Sequence, residues 1–465
     1  MELDLPLKRI HFIGIGGIGM SAIAEILQDL GYTVQGSDGV DSANVQRLKK
    51  RGIKVFIGHN VRNLKRVDAV VVSSAIKPTN IEYRAAQKLG LPIGHRAEML
   101  AEILRYKQGI CISGTHGKTT TSSLITTILL KAGLKPSFII GGILNSHATN
   151  AGSGDGNQIV VEADESDGSF LKLPHFASVV TNIDPEHMDY YKTFDMVKKS
   201  YELFIQNTAF YGFSVVCMDH PVIKEIITQI QHRKVITYGL DKAACVHADH
   251  IRHTEQGMMF DVFIRVKNKF RKIKDVQISM FGLHNVRNAL AAIAVGLELG
   301  VKDSVIKKAL ASFKGIQRRL TLRGTVKNVR IFDDYGHHPV EIKATLDAID
   351  AAKTGKVIAV FEPHRYSRFH DLWNDFLTSF EKANTVVVCP IYSGGEMPIE
   401  GITHTRFAEE LRHHHKRVIE LTDWGELCRV ISQETKEKDS VVCLGAGSVS
   451  ARSIKLVKEL KKVKK

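Results

Sequence analysis

The chain has 465 residues, 44% apolar and 24% charged, about three times the ~150 residues of an average domain, which excludes a disordered chain and leaves two or three cores to fill. Its 64 basic residues against 49 acidic ones give a net charge of +15, so the expected partners are polyanions: nucleic acid, an anionic membrane surface or phosphorylated small molecules. No apolar run reaches the ~18 residues of a membrane span, and MELDLPLKRIHFIGIGG passes straight into a strand pattern without a signal-peptide cleavage region, so no membrane insertion and a cytoplasmic location are expected.

In chain order, KRIHFIGI, TVQGSD and DAVVVSSA read as strands separated by the helical stretches SAIAEILQDLG, VQRLKKRG and EYRAAQKLG. That alternation predicts βαβ units and a mostly parallel sheet. Gly14, Gly16 and Gly19 satisfy G-x-G-x-x-G between the first strand and its helix, and Asp38 follows about 20 residues on, where a dinucleotide fold places its ribose acid. Taken alone, this pattern reads as a dehydrogenase.

A second cycle opens at GICISG and a helix predicted from Lys118 to Ala132. Between them lies GTHGKTTT, with Gly114, Thr115, His116, Gly117, Lys118, Thr119 and Thr120. The lysine and hydroxyl of a P-loop reach phosphate and Mg²⁺ respectively. Ile112 stands where the full GxxxxGK[ST] pattern has its first glycine, so only the GxxGKT core is present. Two acid clusters follow at predicted strand ends. EADESD holds Glu162, Asp164, Glu165 and Asp167, and IDPEHMD holds Asp184, Glu186, His187 and Asp189; hard oxygen ligands after a P-loop point to Mg²⁺.

From about Ala244 to Met280 the alternation in MMFDVFIRV and DVQISMF predicts antiparallel strands appended to the central sheet. Helices at NVRNALAAIAVGLELG and DSVIKKALASFKG lead to a third α/β cycle with strands at VRIFDDYG, KVIAVFEP, NTVVVCP and DSVVCLGAG. GAGSVS near the end reads as a tight turn without a ligand, and the lysine-rich tail IKLVKELKKVKK as a solvated helix face. The six cysteines form no CxxC pair and mostly sit in apolar runs, which reads as reduced core thiols. The expected architecture is α/β in three domains: 1–107 Rossmann-like, 108–316 P-loop ATPase-type with an antiparallel addition, and 317–465 Rossmann-like.

The ordered set HFIGIGGIGMSAIAEIL, GTHGKTTT, EADESDGSF, TNIDPEHMDYY, GLHNVRNALAA, QRRL, DDYGHHPVE and PHRYSR resembles the Mur ligases, the ATP-dependent amide-forming enzymes of peptidoglycan synthesis, over essentially the whole chain. The resemblance reassigns the first glycine loop. Gly14, Gly16, Gly17, Ile18, Gly19, Asp38 and Ser73 would hold a UDP-sugar rather than NAD. The central domain would bind ATP and Mg²⁺, two ions in all, through Lys118, Thr119, Glu162 and His187. Asn285 and Asn288 would turn their amides toward the nucleotide, Arg319 would reach its phosphates, and Asp334 its ribose. QRRL stands where relatives show GRRF, which leaves Arg318 and Arg319 both open for the phosphate contact.

The implied reaction joins L-alanine to UDP-N-acetylmuramic acid through an acyl phosphate, giving ADP and phosphate. Tyr335, His337, Arg365 and Arg368 would bind the amino acid, with either arginine forking onto its carboxylate and His337 near its amine. The partners this implies are UDP-N-acetylmuramic acid, L-alanine and ATP, with no nucleic acid and no membrane insertion, and the expected state is a monomer or homodimer. Three alternatives stand beside this reading: a recycling ligase that adds a preformed tripeptide to the same sugar, an NAD-dependent oxidoreductase that leaves the P-loop idle, and a nucleic-acid-stimulated ATPase lacking any aromatic and basic stacking stretch.

Overall fold

The computed structural model describes residues 7–73, 75–145, 149–254, 257–266, 269–352 and 355–462. Residues 1–6, Lys464, Lys465 and the Asp189 side chain lie outside this description. Three separate sheets carry the fold.

The first contains β1 (Arg9–Ile13), β2 (Thr33–Asp38), β3 (Lys54–Ile57), β4 (Ala69–Val72) and β5 (Ile93–His95), ordered β3-β2-β1-β4-β5 and parallel throughout. The strand β4 is AVVV and fully buried, as expected where helices cover both faces of a parallel sheet. Because β1 pairs with both β2 and β4, the chain reverses its direction of growth there, and the loop leaving β1 opens into the crevice at the carboxyl ends of the strands.

The second sheet has ten strands: β6 (Gln108–Ser113), β7 (Ser137–Leu144), β8 (Thr149–Gly152), β9 (Gln158–Glu162), β10 (Ala177–Val180), β11 (Phe213–Cys217), β12 (Val235–Gly239), β13 (Val246–Thr254), β14 (Gly257–Val266) and β15 (Lys269–Ile278). Their order is β15-β14-β13-β12-β11-β10-β6-β9-β7-β8. β6 lies between β10 and β9, parallel to both, so the P-loop also leaves a strand at a reversal point. The expected edge ribbon is β13 to β15, whose two-residue connections permit only antiparallel pairing. A further antiparallel pair, β7 with β8, borders the opposite edge and was not foreseen from the sequence.

Helix Lys118–Lys131 ends at a cap on Ala132. It is rich in Thr and Ser yet buried, and it tolerates this because the hydroxyls of Ser123, Thr126 and Thr127 each donate to the carbonyl four residues back, at 2.6, 2.8 and 2.8 Å.

The third sheet is β16 (Thr321–Val326), β17 (Val329–Asp334), β18 (Val357–Phe361), β19 (Thr385–Val388), β20 (Val418–Glu420) and β21 (Ser440–Leu444), ordered β16-β17-β21-β18-β19-β20 with only β16 antiparallel. One of its faces packs an aromatic cluster around Phe361, Phe369, Phe376, Phe380 and Phe407.

By compactness the chain forms two units. One contains the first sheet and most of the second; the other contains Gly315–Lys465 with the short pieces Arg252–Met259 and Ile278–Val286. Four cysteines are buried, Cys245 and Cys428 are partly exposed, and all six are unpaired thiols. No helix among the described residues is long and apolar enough to cross a membrane.

Candidate active site

The first glycine loop turns at Gly14, whose φ of +81° suits glycine. Gly14 and Ile15 donate their backbone N–H groups to Ser37 O at 2.8 and 3.0 Å. Asp38 accepts from Gly16 N at 2.8 Å and from Val40 N at 3.1 Å, so the acid expected at a ribose also braces the loop. Gly17 caps helix Ile18–Asp29. Ser73, at the end of β4, lies against Gly14, where an added Cβ would come within 3.2 Å of its own Cβ.

Beneath this loop lies a fully buried carboxylate that the sequence did not single out. Glu82 accepts from Asn63 Nδ2 at 2.6 Å, from Asn60 N at 3.1 Å and from the Ser37 hydroxyl, with His59 Nδ1 at 3.1 Å and His11 Nε2 at 3.5 Å. Burial pushes its pKa up, but His11, Ser37, Asn60 and Asn63 together overrule that and bring it down to about 2.

The second glycine loop is tighter. A Cβ on Gly114 would collide with Thr181, and one on Gly117 would lie 2.7 Å from Asn288 Oδ1. His116 N donates to Asn182 Oδ1 at 2.7 Å, Thr115 Oγ1 accepts from Asp184 N at 2.8 Å, and Thr121 Oγ1 donates to Asn288 Oδ1 at 3.2 Å. The Lys118 ammonium folds back onto Gly114 O at 2.6 Å, Thr115 O at 3.2 Å and Glu165 Oε1 at 2.7 Å. Burial pulls its pKa down; the charges of Glu165, Glu162 and Asp164 more than offset this and hold it raised. Burial likewise pushes Glu165 up to about 7 against the pull of Lys118.

Thr119 Oγ1 donates to both oxygens of Glu162, at 2.9 and 3.1 Å, and Glu162 Oε2 accepts from Gly141 N at 2.6 Å. Glu165, Glu186 and His187 converge, each offering a ligand atom within 4.8 Å of the others. Both oxygen-rich sets suit a hard divalent cation. His187 holds the left-handed conformation at φ +58° at the start of the short helix Met188–Tyr191. Thr120 is buried within its own helix.

Helix Leu283–Glu298 carries both candidate asparagines, but they differ in use. Asn288 meets the P-loop, whereas Asn285 donates to Phe281 O at 2.8 Å and contacts His284 Nε2 at 3.0 Å.

In the other unit, Arg318 and Arg319 both stack over Tyr335, at 4.7 and 5.3 Å from the ring centre. They part after that: Arg318 donates to Gly445 O and Gly447 O at 3.0 and 3.3 Å, while Arg319 is 3.7 Å from Glu341. Asp334, expected at a ribose, is buried and turned into its own unit, accepting from Leu320 N and Gly336 N at 2.7 Å each and from Thr345 Oγ1 at 3.3 Å. Its pKa is raised, by burial first, with Arg319 opposing.

Past the ends of β17 and β18, the rings of Tyr335, His337, His364 and Tyr392 succeed one another at centroid distances of 5.2, 5.8 and 5.4 Å. Burial, followed by the charges of His337, Arg368 and Arg365, lowers His364 to about 4. Arg365 pairs with Glu396 at 2.7 Å, and Arg368 Nη1 lies 3.3 Å from His364 Nδ1. GAGSVS is a turn into helix Val449–Leu460, and Glu362 accepts from Val449 N at 3.0 Å and Ser448 Oγ at 2.5 Å. A carboxylate of the chain itself thus fills the place an anion would take at that helix start.

Comparison with known proteins gives one consistent result. Three family profiles match in order: "Mur ligase family, catalytic domain" over residues 9–108, "Mur ligase middle domain" over 112–296, and "Mur ligase, glutamate ligase domain" over 318–447. The UDP-N-acetylmuramate–L-alanine ligase of Mesorhizobium japonicum is 49% identical over 465 residues, covering 99% of each chain. That of a Chelativorans species is 48% identical over 463 residues, 99% of this chain and all of the relative. Among solved structures, the UDP-N-acetylmuramate-alanine ligase of Thermotoga maritima superposes with a TM-score of 0.83 at 26% identity, covering 98% of this chain and 100% of that one. A murein peptide ligase from Psychrobacter arcticus shares the fold, with a TM-score of 0.71 at 23% identity and the same coverage.

Proposed function

The chain belongs to the Mur ligase family and catalyses ATP-dependent ligation of L-alanine to UDP-N-acetylmuramic acid, and we propose a division of that work among its residues, one substrate to each sheet. The first glycine loop, with Asp38 and Ser73, binds the UDP-sugar. The second, with Asn288, binds ATP. The third sheet, through Tyr335, His337, Arg365 and Arg368, binds alanine. We further assign the domains as 1–107, 108–316 and 317–465, and the reaction to the cytoplasm, where ATP is made available.

The observation that carries the central assignment is the paired engagement of Lys118 and Thr119. Lys118 lies on a carboxylate and two loop carbonyls, all anionic or oxygen partners that a β- or γ-phosphate can replace, and Thr119 already shares Glu162. Thr119 and Glu162 would hold one Mg²⁺, and His187, with Glu165 and Glu186 beside it, a second. Bound there, Mg²⁺ supplies charge neutralisation for phosphoryl transfer between two anions.

The chain's own residues do the rest. Lys118 steadies the terminal phosphate as its bond to ADP breaks and a carboxylate oxygen of the muramic acid takes the phosphoryl group. Arg319, the less internally committed of the two arginines, adds positive charge. An arginine fork on the alanine carboxylate orients the uncharged amine. His337 stands near that nitrogen to take its proton as the C–N bond forms and phosphate departs from the acyl carbon. Asp334 and Glu341 position the Arg319 loop.

Phosphate release tests this reading, measured with L-alanine, glycine, L-serine and a tripeptide side by side. Release is expected only when ATP, UDP-N-acetylmuramic acid and an amino acid are all present, and fastest with L-alanine. Release that needs no UDP-sugar, or that prefers the tripeptide, overturns it.

A further inference from the structure

Arg96 enters none of the roles above, and its surroundings are unusual for a surface arginine. It follows β5 as the first residue of helix Arg96–Arg105 and is only partly exposed. Its side chain lies across Gly19 in the first glycine loop. A Cβ on Gly19 would stand 3.2 Å from Arg96 Cδ and 3.4 Å from Nη1, so the third glycine of the fingerprint makes room for this arginine. The guanidinium takes no hydrogen bond or ion pair among the described residues.

A guanidinium laid over the first turn of a helix faces backbone N–H groups of its own sign, an arrangement that becomes favourable when an anion lies between them. Asp38 does not supply that anion: its oxygens accept from Gly16 N and Val40 N, and it forms no ion pair with Arg96. We propose that Arg96 is a substrate-binding residue that clamps the diphosphate of the UDP-sugar against the Gly14–Gly19 loop. The assignment rests on the reading that this loop binds the UDP-sugar. It adds the cation that a glycine loop without a lysine otherwise lacks.

Isothermal titration of the full-length wild type, Arg96→Ala, Arg96→Gln and Arg96→Lys with UDP-N-acetylmuramic acid, UDP and a non-hydrolysable ATP analogue tests the clamp. Removing the guanidinium should weaken UDP and the UDP-sugar alike by about tenfold or more, leave the ATP analogue within about twofold, and let Arg96→Lys recover part of the loss. Arg96→Gln keeps the stem over Gly19 and should behave as Arg96→Ala does. Unchanged UDP affinity in both neutral variants overturns the proposal, as does weakening of all three ligands together, the signature of a purely structural side chain. A wild type that binds the ATP analogue but neither uridine ligand instead overturns the reading of the loop itself.

Discussion

The loop at Gly14–Gly19 and the loop at Gly114–Lys118 each leave an inner strand with parallel neighbours on both sides and each open a helix at a reversal of strand order, yet an acid braces the first and a base the second. Asp38 receives the Gly16 N–H, and the loop itself carries no titratable side chain. Lys118 is folded against Gly114, Thr115 and Glu165, with Thr119 and Glu162 one step away. Glycines permit close approach of a phosphate in both places. What separates holding a diphosphate from transferring a phosphoryl group is the set of side chains facing the turn, so a glycine pattern alone fixes a ligand's shape and leaves its fate open.

The sharpest way to break that contrast is to take the base from the second loop. Lys118→Ala should lower ligation by about 10³-fold, near 4 kcal/mol in the barrier, as expected for loss of a cation facing developing phosphate charge. UDP-sugar binding, measured by titration on the same protein, should stay within about twofold. Loss of UDP-sugar affinity in a folded Lys118→Ala protein would show that the two loops do not work separately.

The first loop has its own support, and pH exposes it. The Glu82 carboxyl is depressed from about 4.5 to about 2 in the folded chain. The unfolded state therefore binds the proton more readily in this window, and folding stability gained from Glu82 is complete above about pH 4.5 and is lost as pH falls toward 2. The loss is at most about 3 kcal/mol. Chemical denaturation between pH 3 and 7 should show this slope in the wild type and a flatter one in Glu82→Gln, which is also less stable at pH 7. Equal slopes would mean that the network around Glu82 is not what holds the loop's floor.

What the sequence revealed and what it hid divide along sequence separation. Strand, glycine turn and helix start are contiguous, so both loops, their flanking elements and the α/β class could be read from local pattern. Glu162 stood out because it closes a predicted strand after a P-loop, whereas His187 was marked as a ligand only by the family resemblance. The Lys118–Glu165 contact spans 47 residues, and nothing in EADESD marks which carboxylate meets the lysine. The Glu82 network gathers His11 from β1, Ser37 from β2, and His59 and Asn63 from the β3–β4 connection, each an ordinary polar residue alone. The β7–β8 pair, whose edge supplies the Gly141 N–H to Glu162, has a short second strand, TNAG, without the β-branched run that identifies one. Asn285 and Asn288 share helical spacing, and spacing could not tell that the second meets the P-loop at Thr121 while the first donates to Phe281 O.

The mildest perturbation is also the most local. A Cβ at Gly16 would lie 2.8 Å from Asp38 Oδ2 and 2.8 Å from Val45 Cγ2, closer than real side chains pack, so one neighbour must move. Gly16 does not adopt positive φ, unlike Gly14, and Gly16→Ala therefore meets crowding without backbone strain. Asp38 is the neighbour that can turn away, at the expense of its hydrogen bond to Gly16 N. The expected result is a roughly tenfold weaker UDP-sugar Kd, about 1.4 kcal/mol, with ATP-analogue affinity unchanged. Gly14→Ala at φ +81° should do more harm to folding than to selectivity, since it strains the turn whatever the space. If Gly16→Ala weakens both nucleotides equally, Asp38 is a fastening for the whole unit, and the contrast between an acid-braced and a base-braced loop reduces to a difference in which strand each one borrows its support from.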